Sequence, residues 1–346
     1  MSVRFFNPGL TYQKLKPKLD EVYFRVMSAG DLILRKDVEE FEKRLAEFIG
    51  TKYAVALNSG TDALYLVLRG LGIRHRDEVI VPSRTFVATA QVVVQLGATP
   101  VFYDIDGDWK SKVTERTKAI IPVHIEGDIQ TDMEGMLSFA KENNIHVIED
   151  AAQAFGATQK GKKAGSLGIA GCFSFYPAKI LGAFGDAGGV CTNDEELYKY
   201  LKDARDHFKT DARDWGVNSR LDNLQAAFLN VRLKRIDEML SRREAIAAAY
   251  NRAFADLPVG LPPETEGRVW QDYLLNAGSL EVRERLFFAL KEKGIETLRN
   301  NYPFPVPKLP GAQLYEDSTL RLPCNENLTD AEVEEVIRAV KELYGV

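Results

Sequence analysis

The stretch YAVALNSGTDALYLVL, residues 53–68, carries two patterns with no gap between them. Tyr53 to Leu57 is a short β-prone run. Ala63, Leu64, Leu66, Val67 and Leu68 then recur with helical spacing. The chain turns from one to the other through Asn58, Ser59, Gly60 and Thr61. A strand that passes straight into a helix leaves backbone N–H groups free at the helix start. Those groups, the hydroxyls and the helix dipole favour an anion. An ordinary N-cap reads the same way. The GxxxxGK spacing of a P-loop is absent, and no GxGxxG follows the strand, which argues against a dinucleotide site.

Working downstream, the alternation continues. Strands are expected at Glu78–Val81 (stopped by Pro82), Pro100–Tyr103, Ala119–Val123 and Ile145–Glu149. Helices are expected at Phe86–Leu96 and Met133–Lys141. Short strands separated by helices indicate βαβ units and a mostly parallel sheet, so the fold class is α/β. Such sheets take ligands at the carboxyl ends of their strands. Ser59, Pro82, His124 and Asp150 all fall there. Asp150 fits either a helix N-cap or a buried carboxylate serving a cationic ring nitrogen.

Upstream, the residues through about Leu10 read as an extended arm, followed by a helix over Leu15–Met27. Asp37 reads as an N-cap with Glu40 three residues on. Val38, Phe41, Leu45, Phe48 and Ile49 form the stripe of the helix it opens, which ends at Gly50. Further downstream, CFSFYPAKILGAFGDAGG, residues 172–189, sets one lysine, Lys179, between an apolar run and a glycine-rich turn. Taken locally, Lys179 is either a snorkelling surface residue or an amine held for chemistry. Helices are expected at Glu195–Ala204, Leu224–Met239 and Arg243–Phe254, the last a connector. The composition shifts at Pro258–Pro263. The expected division is a large domain over 1–240, with the arm, and a connector plus smaller C-terminal α/β domain over 241–346. In the latter, Tyr273–Leu275 reads as a strand and Glu281–Lys291 as a helix. Tyr302–Pro310 reads as an extended loop, and Thr329 as the N-cap of a last helix with Glu332 completing the box.

Composition narrows the function. The chain has 346 residues, 45% hydrophobic and 27% charged, with formal net charge −5 and no long basic block, so neither nucleic acid nor an anionic membrane is an expected partner. The three cysteines, Cys172, Cys191 and Cys324, lie far apart without a CxxC pair; no disulfide framework and no metal site are expected. Met1 leads into polar sequence, and no apolar stretch is long enough to span a bilayer; the expected location is the cytoplasm.

One lysine after a strand, one aspartate after another and an anion-ready strand–helix turn are the fixed points that pyridoxal 5'-phosphate needs. The amine forms a Schiff base, the carboxylate keeps the pyridine protonated, and the helix start takes the phosphate. Phe86 offers a flat apolar face for the ring. At these residues the chain resembles the DegT/DnrJ/EryC1/StrS family of sugar aminotransferases. The resemblance runs through EEFEK (39–43), SGT-A-L (59–64), VPSxTFVATA (81–90), AIIPVH (119–124) and EDAAQA (149–154). It continues through FSF-x-P-x-K (173–179), G-D-x-G-G (185–189), N-x-R (218–220), LQAA (224–227) and YP-x-P (302–305).

The resemblance implies the aspartate-aminotransferase-like, type I transferase fold. It implies that Lys179 holds the cofactor as an internal aldimine and moves the proton, and that Asp150 pairs with the pyridinium. It further implies that Gly60, Thr61 and Ser174 bind phosphate, that Phe86 stacks on the ring, and that Gln153 lies near the 3-hydroxyl. Asn218 reaches the phosphate of a second copy, which makes a homodimer with composite sites. The implied reaction is ping-pong. L-glutamate gives its amine to the cofactor, and pyridoxamine 5'-phosphate passes it to a keto sugar, expected to be a nucleotide-linked keto-deoxy sugar. A same-fold aminotransferase or dehydratase acting on a cyclitol or other non-nucleotide ketone, and a non-catalytic regulatory protein that binds the cofactor, are the alternatives. The chain departs from the usual pattern at Arg84, Asp128, Phe155 and Gln271, none expected to touch the cofactor chemistry. Arg84, Arg220 and Arg299 are candidates for anionic groups of substrates, and His124 for either the pocket wall or a structural role.

Overall fold

In the computed structural model, which describes residues 2–105, 107–130, 132–212, 214–299 and 305–345, two helices precede the first strand. They are α1 (Pro8–Ala29) and α2 (Lys36–Ile49). The large unit continues with β1 (Tyr53–Leu57), α3 (Gly60–Gly70), β2 (Glu78–Pro82), α4 (Val87–Gln95), β3 (Thr99–Tyr103), β4 (Thr117–Ile120), α5 (Met133–Glu142) and β5 (His146–Asp150). A two-stranded ribbon, β6 (Thr158–Gln159) and β7 (Lys162–Lys163), leads to β8 (Ala170–Ser174), β9 (Gly188–Thr192), α6 (Glu195–Ala204), α7 (Asn223–Leu233) and α8 (Ile236–Phe254). The smaller unit adds β10 (Tyr273–Asn276), α9 (Leu280–Glu292), β11 (Leu298–Arg299), α10 (Pro310–Ser318), β12 (Thr319–Leu322) and α11 (Asp330–Leu343).

The central sheet has seven strands in the order β1-β9-β8-β5-β4-β2-β3. Only β9 runs against its neighbours. Side chains alternate across each strand. Ala54, Ala56, Ile80, Ile120 and Val147 therefore face α2, α5 and α7, while Val55, Leu57, Val79, Val81 and Ile148 face α3, α4 and α6. Both faces are covered, as a parallel sheet requires. A second core lies under the three-stranded sheet β10-β12-β11. Helix α8 spans the two: Ile236 belongs to the large core, Ile246, Tyr250 and Phe254 to the small one.

Several boundaries differ from the sequence reading. Helix α1 starts at Pro8, not Leu15, because the Asn7 side chain accepts from Leu10 N–H at 3.1 Å and proline suits the first helical position. Only residues before Asn7 form the arm, where Val3 bridges Ile295 of the small unit. Asp37 is not an N-cap. It lies in the first turn of α2 and binds Arg25 and Asn223 instead. The break between α7 and α8 falls at Lys234–Arg235 rather than between Met239 and Arg243. The Thr329–Glu332 capping box is present. The Tyr302 end of the expected Pro-rich loop lies outside the described residues, while its Pro310 end begins α10.

Candidate active site

The carboxyl ends of β1, β2, β5 and β8 open onto one cavity of about 770 Å³, closed on its far side by the small unit. Gly60, Thr61, Phe86, Asp150, Gln153, Ser174 and Lys179 all line it. Asn218 does not. It is exposed, bridged to Asp206, on a loop whose next residue, Ser219, hydrogen-bonds Asn58 at the β1–α3 turn.

The anion-ready turn is built by close approach. Ser59 Oγ caps the Asp62 N–H at 3.1 Å, and the N–H groups of Gly60 and Thr61 precede any intrahelical acceptor. A Cβ on Gly60 would stand 2.9 Å from Ser174 Cβ, and one on Gly188 would stand 2.2 Å from the Ser59 carbonyl carbon. These two glycines let the helix start, β8 and β9 crowd around one point.

Asp150 ends β5 and is 6% exposed. No helix follows it, so it is not a helix N-cap. Its carboxylate accepts from Thr89 Oγ1 at 2.8 Å and from Ala152 N–H at 3.2 Å. Burial pushes its pKa up, and those two donors, with Lys179 and His124 nearby, only partly oppose this. Among the described residues its carboxylate makes no ion pair.

Lys179 follows β8 on a short turn. Burial holds its amine below the usual lysine range, against the pull of Asp272 and Asp150. It makes no ion pair or hydrogen bond through its amine among the described residues. Its backbone, by contrast, is pinned. Gln271 accepts from Ile180 N–H at 3.1 Å and donates to Ala178 carbonyl at 3.0 Å, one residue on either side of the lysine. Arg232 donates to Gly182 carbonyl at 2.6 Å and to Glu326 at 2.9 Å. Arg243 joins the same Glu326 at 2.8 Å and also binds the carbonyls of Trp270, Gln271 and Cys324. A free amine on a fixed backbone can reach a carbonyl carbon and can carry a proton.

Gln153 turns its carbonyl to Glu126 N–H at 2.9 Å, which leaves its amide N–H groups as donors. Phe86, the residue before α4, is 53% exposed and flanks the cavity. His124 is structural: its Nδ1 accepts from Gln130 N–H at 3.2 Å, so the proton sits on Nε2 and goes to Glu149 at 2.8 Å. Arg220 pairs with Asp206 and Arg299 with Glu284, neither in the cavity lining. Arg84 does line it.

Sequence reading placed Gln271 away from the cofactor site and did not single out Glu126, Asp272, Tyr315 or Arg321. Gln271 stands 91 positions from Ile180, which it holds, and no periodicity links the two. The one available signal was the polar Gln271–Asp272 pair set between Trp270 and Tyr273 in an otherwise apolar run.

A carboxylate without an ion pair, a shielded amine and a helix start with free N–H groups fit the three poles of pyridoxal phosphate. Together with the mostly parallel sheet and small C-terminal unit, they define a pyridoxal-phosphate enzyme of the aspartate-aminotransferase architecture. Comparison with known proteins makes this specific. The profile of the DegT/DnrJ/EryC1/StrS aminotransferase family matches residues 14–341, and the chain belongs to that family. It is 38% identical to a dTDP-3-amino-3,4,6-trideoxy-alpha-D-glucose transaminase of Streptomyces venezuelae, over 98% of this chain and 96% of that one. It is 38% identical to a UDP-2-acetamido-2-deoxy-3-oxo-D-glucuronate aminotransferase of Pseudomonas aeruginosa, over 94% and 92%. The crystal structure of S. venezuelae DesV in complex with a ketimine intermediate superposes with a TM-score of 0.94 at 37% identity, covering 100% of this chain and 99% of that chain. The protein is a pyridoxal-phosphate-dependent aminotransferase.

Proposed function

We propose that the protein transfers the amino group of L-glutamate to a nucleotide-linked keto sugar, using Lys179 and Asp150 in one cavity. The observation that carries this reading is the pairing of a half-buried, ion-pair-free amine with a buried, ion-pair-free carboxylate in one cavity, beside a helix start whose first N–H groups are free. Pyridoxal phosphate supplies an electron sink for the bond to the substrate's amine-bearing carbon. Asp150 holds a proton on the cofactor ring by staying ionised beside it. Gly60, Thr61 and Ser174 bind its phosphate, Phe86 covers one ring face, and Gln153 donates to the 3-hydroxyl. Lys179, held by Gln271 on both sides, attaches the cofactor through Nζ and otherwise moves a proton at that atom.

Asn218 serves a second copy of the chain, so the working unit is a homodimer. Its exposure and its tether to the β1–α3 turn through Ser219 and Asn58 support this. No helix among the described residues is long and apolar enough to cross a membrane, and all three cysteines are free and buried, which suits the cytoplasm.

The test is the absorption spectrum of the loaded protein before and after L-glutamate, followed by candidate keto sugars. Glutamate should remove the visible band, and the correct keto sugar should restore it. A band that glutamate leaves untouched rules out this donor. Sedimentation should give twice the chain mass.

A further inference from the structure

The cavity has a second wall that the cofactor roles do not use. Arg84, from the turn after β2, lays its guanidinium 3.4 Å from the Tyr315 ring centroid and pairs with Glu126. Tyr315, on α10, donates its hydroxyl to the other oxygen of Glu126 at 2.8 Å. Beside them, Arg321 of β12 pairs with Asp272 at 2.7 Å. Lys308 pairs with Glu316 at 2.6 Å. Among the described residues the wall thus holds six charges in three pairs, and their sum is zero.

Glu126 shows that this wall is imposed. Its backbone sits in the left-handed region, φ 59 and ψ 16, which is costly for a side chain with a Cβ. The same residue's N–H binds Gln153, so the wall adjoins the cofactor end of the cavity. Burial alone would raise the Glu126 pKa, yet Arg84 and Arg321, with the Tyr315 hydroxyl, hold it below the usual carboxylate range. Buried ion pairs cost desolvation and rarely add stability over apolar packing. Here they furnish a surface of fixed hydrogen-bonding groups. Tyr315 covers one face of the Arg84 guanidinium, leaving its edge as the donor. Among the described residues one hydrogen bond, to Glu126, uses that edge, and Arg84 itself lines the cavity.

We propose that this wall, with Glu126 as its specificity-determining residue and Arg84 as a hydroxyl donor held by it, reads the hydroxyls of an uncharged sugar ring and rejects a ring that carries a carboxylate. This rests on the nucleotide-sugar reading above and narrows it. Arg84 and Tyr315 offer an in-plane donor and a flat face, which suit a polyhydroxylated ring. A ring carboxylate would meet cations already matched by Glu126 and Asp272. It would also share the cavity with Asp150, Asp186 and Glu296, which line the same space.

The test is calorimetric titration of the protein in its pyridoxamine-phosphate form. The ligands are glucose and glucuronate, each in UDP- and dTDP-linked form. None carries a ketone, so the readout is binding alone. Glucose should bind roughly tenfold or more tighter than glucuronate. Glu126→Gln leaves the wall one charge positive and should shrink that ratio several-fold. Arg84→Gln leaves it one charge negative and should widen it. Glucuronate binding as tightly as glucose, or both variants moving the ratio the same way, overturns the proposal while leaving the nucleotide-sugar reading intact. Binding of none of the four overturns both.

Discussion

Glu149 and Asp150 are neighbours in sequence, both acidic and both buried, yet they face opposite sides of β5 and live in different chemistry. Glu149 is saturated. Its oxygens accept from Gly165 N–H, Leu167 N–H and Gly168 N–H, each at 2.7 Å, and from His124 Nε2 at 2.8 Å. It closes the loop between β7 and β8 onto the sheet. Asp150 has two donors and looks into the cavity. The comparison teaches that burial of a charge does not by itself mark a functional residue. What marks it is an incomplete set of partners next to open space.

Substitutions at four positions break or sharpen this contrast, in falling order of expected effect. Lys179→Ala removes the amine on the cavity side. Turnover should drop by roughly 10⁴-fold or more, with the fold unchanged by circular dichroism. Borohydride reduction should then label no peptide at this position; a label elsewhere would place the cofactor on another lysine.

Glu149→Ala acts on the saturated side. It strips three backbone donors and a histidine of their acceptor and should cost about 3–5 kcal/mol of stability, read by denaturant titration. Activity per folded molecule should change little. A loss of activity without a loss of stability would erase the contrast.

Asp150→Asn acts on the open side, and the signs should reverse. Turnover should fall by roughly 10²–10³-fold, whereas the cofactor-free protein should be no less stable than before. A pH series sharpens this. Burial raises the Asp150 pKa in the folded protein above its ordinary 3.8. Between those two values the folded state keeps a proton that the unfolded state has lost. Stability of the cofactor-free protein from this group therefore falls as pH rises through that window, and Asp150→Asn should abolish the slope.

Gln271→Ala tests the smallest effect. It frees the backbone on both sides of Lys179 without touching the amine. Turnover should fall roughly tenfold, and stability by about 1–3 kcal/mol. Gln271→Glu should restore the bond to Ile180 N–H but not the one to Ala178 carbonyl, and so recover only part of the loss.

The strand–helix alternation from Tyr53 onward was legible because each element is set by neighbours a few positions away. The same holds for the Gly50 stop of α2 and the Thr329 cap of α11. Most of the cavity-lining residues that the sequence singled out were legible for a related reason. They stand at the ends of strands, and a parallel sheet brings those ends to one edge whatever the loops do. The role of Asp37 was misread because its partner Asn223 lies far along the chain, whereas the start of α1 is set locally by the Asn7 cap and Pro8, a signal that the apolar spacing from Leu15 does not contain.

Sequence alone determined that this is an α/β protein with one lysine after one strand and one aspartate after another, since local periodicity and turn chemistry are written in consecutive residues. It also carried the family resemblance. Tertiary structure decided which charges are free. Whether a carboxylate is saturated like Glu149 or open like Asp150, and whether Arg84 meets Glu126 and Tyr315, depends on residues brought together from several elements. Burial and partner geometry set the cost of a charge, and neither exists until the sheet and the small unit have closed around the cavity.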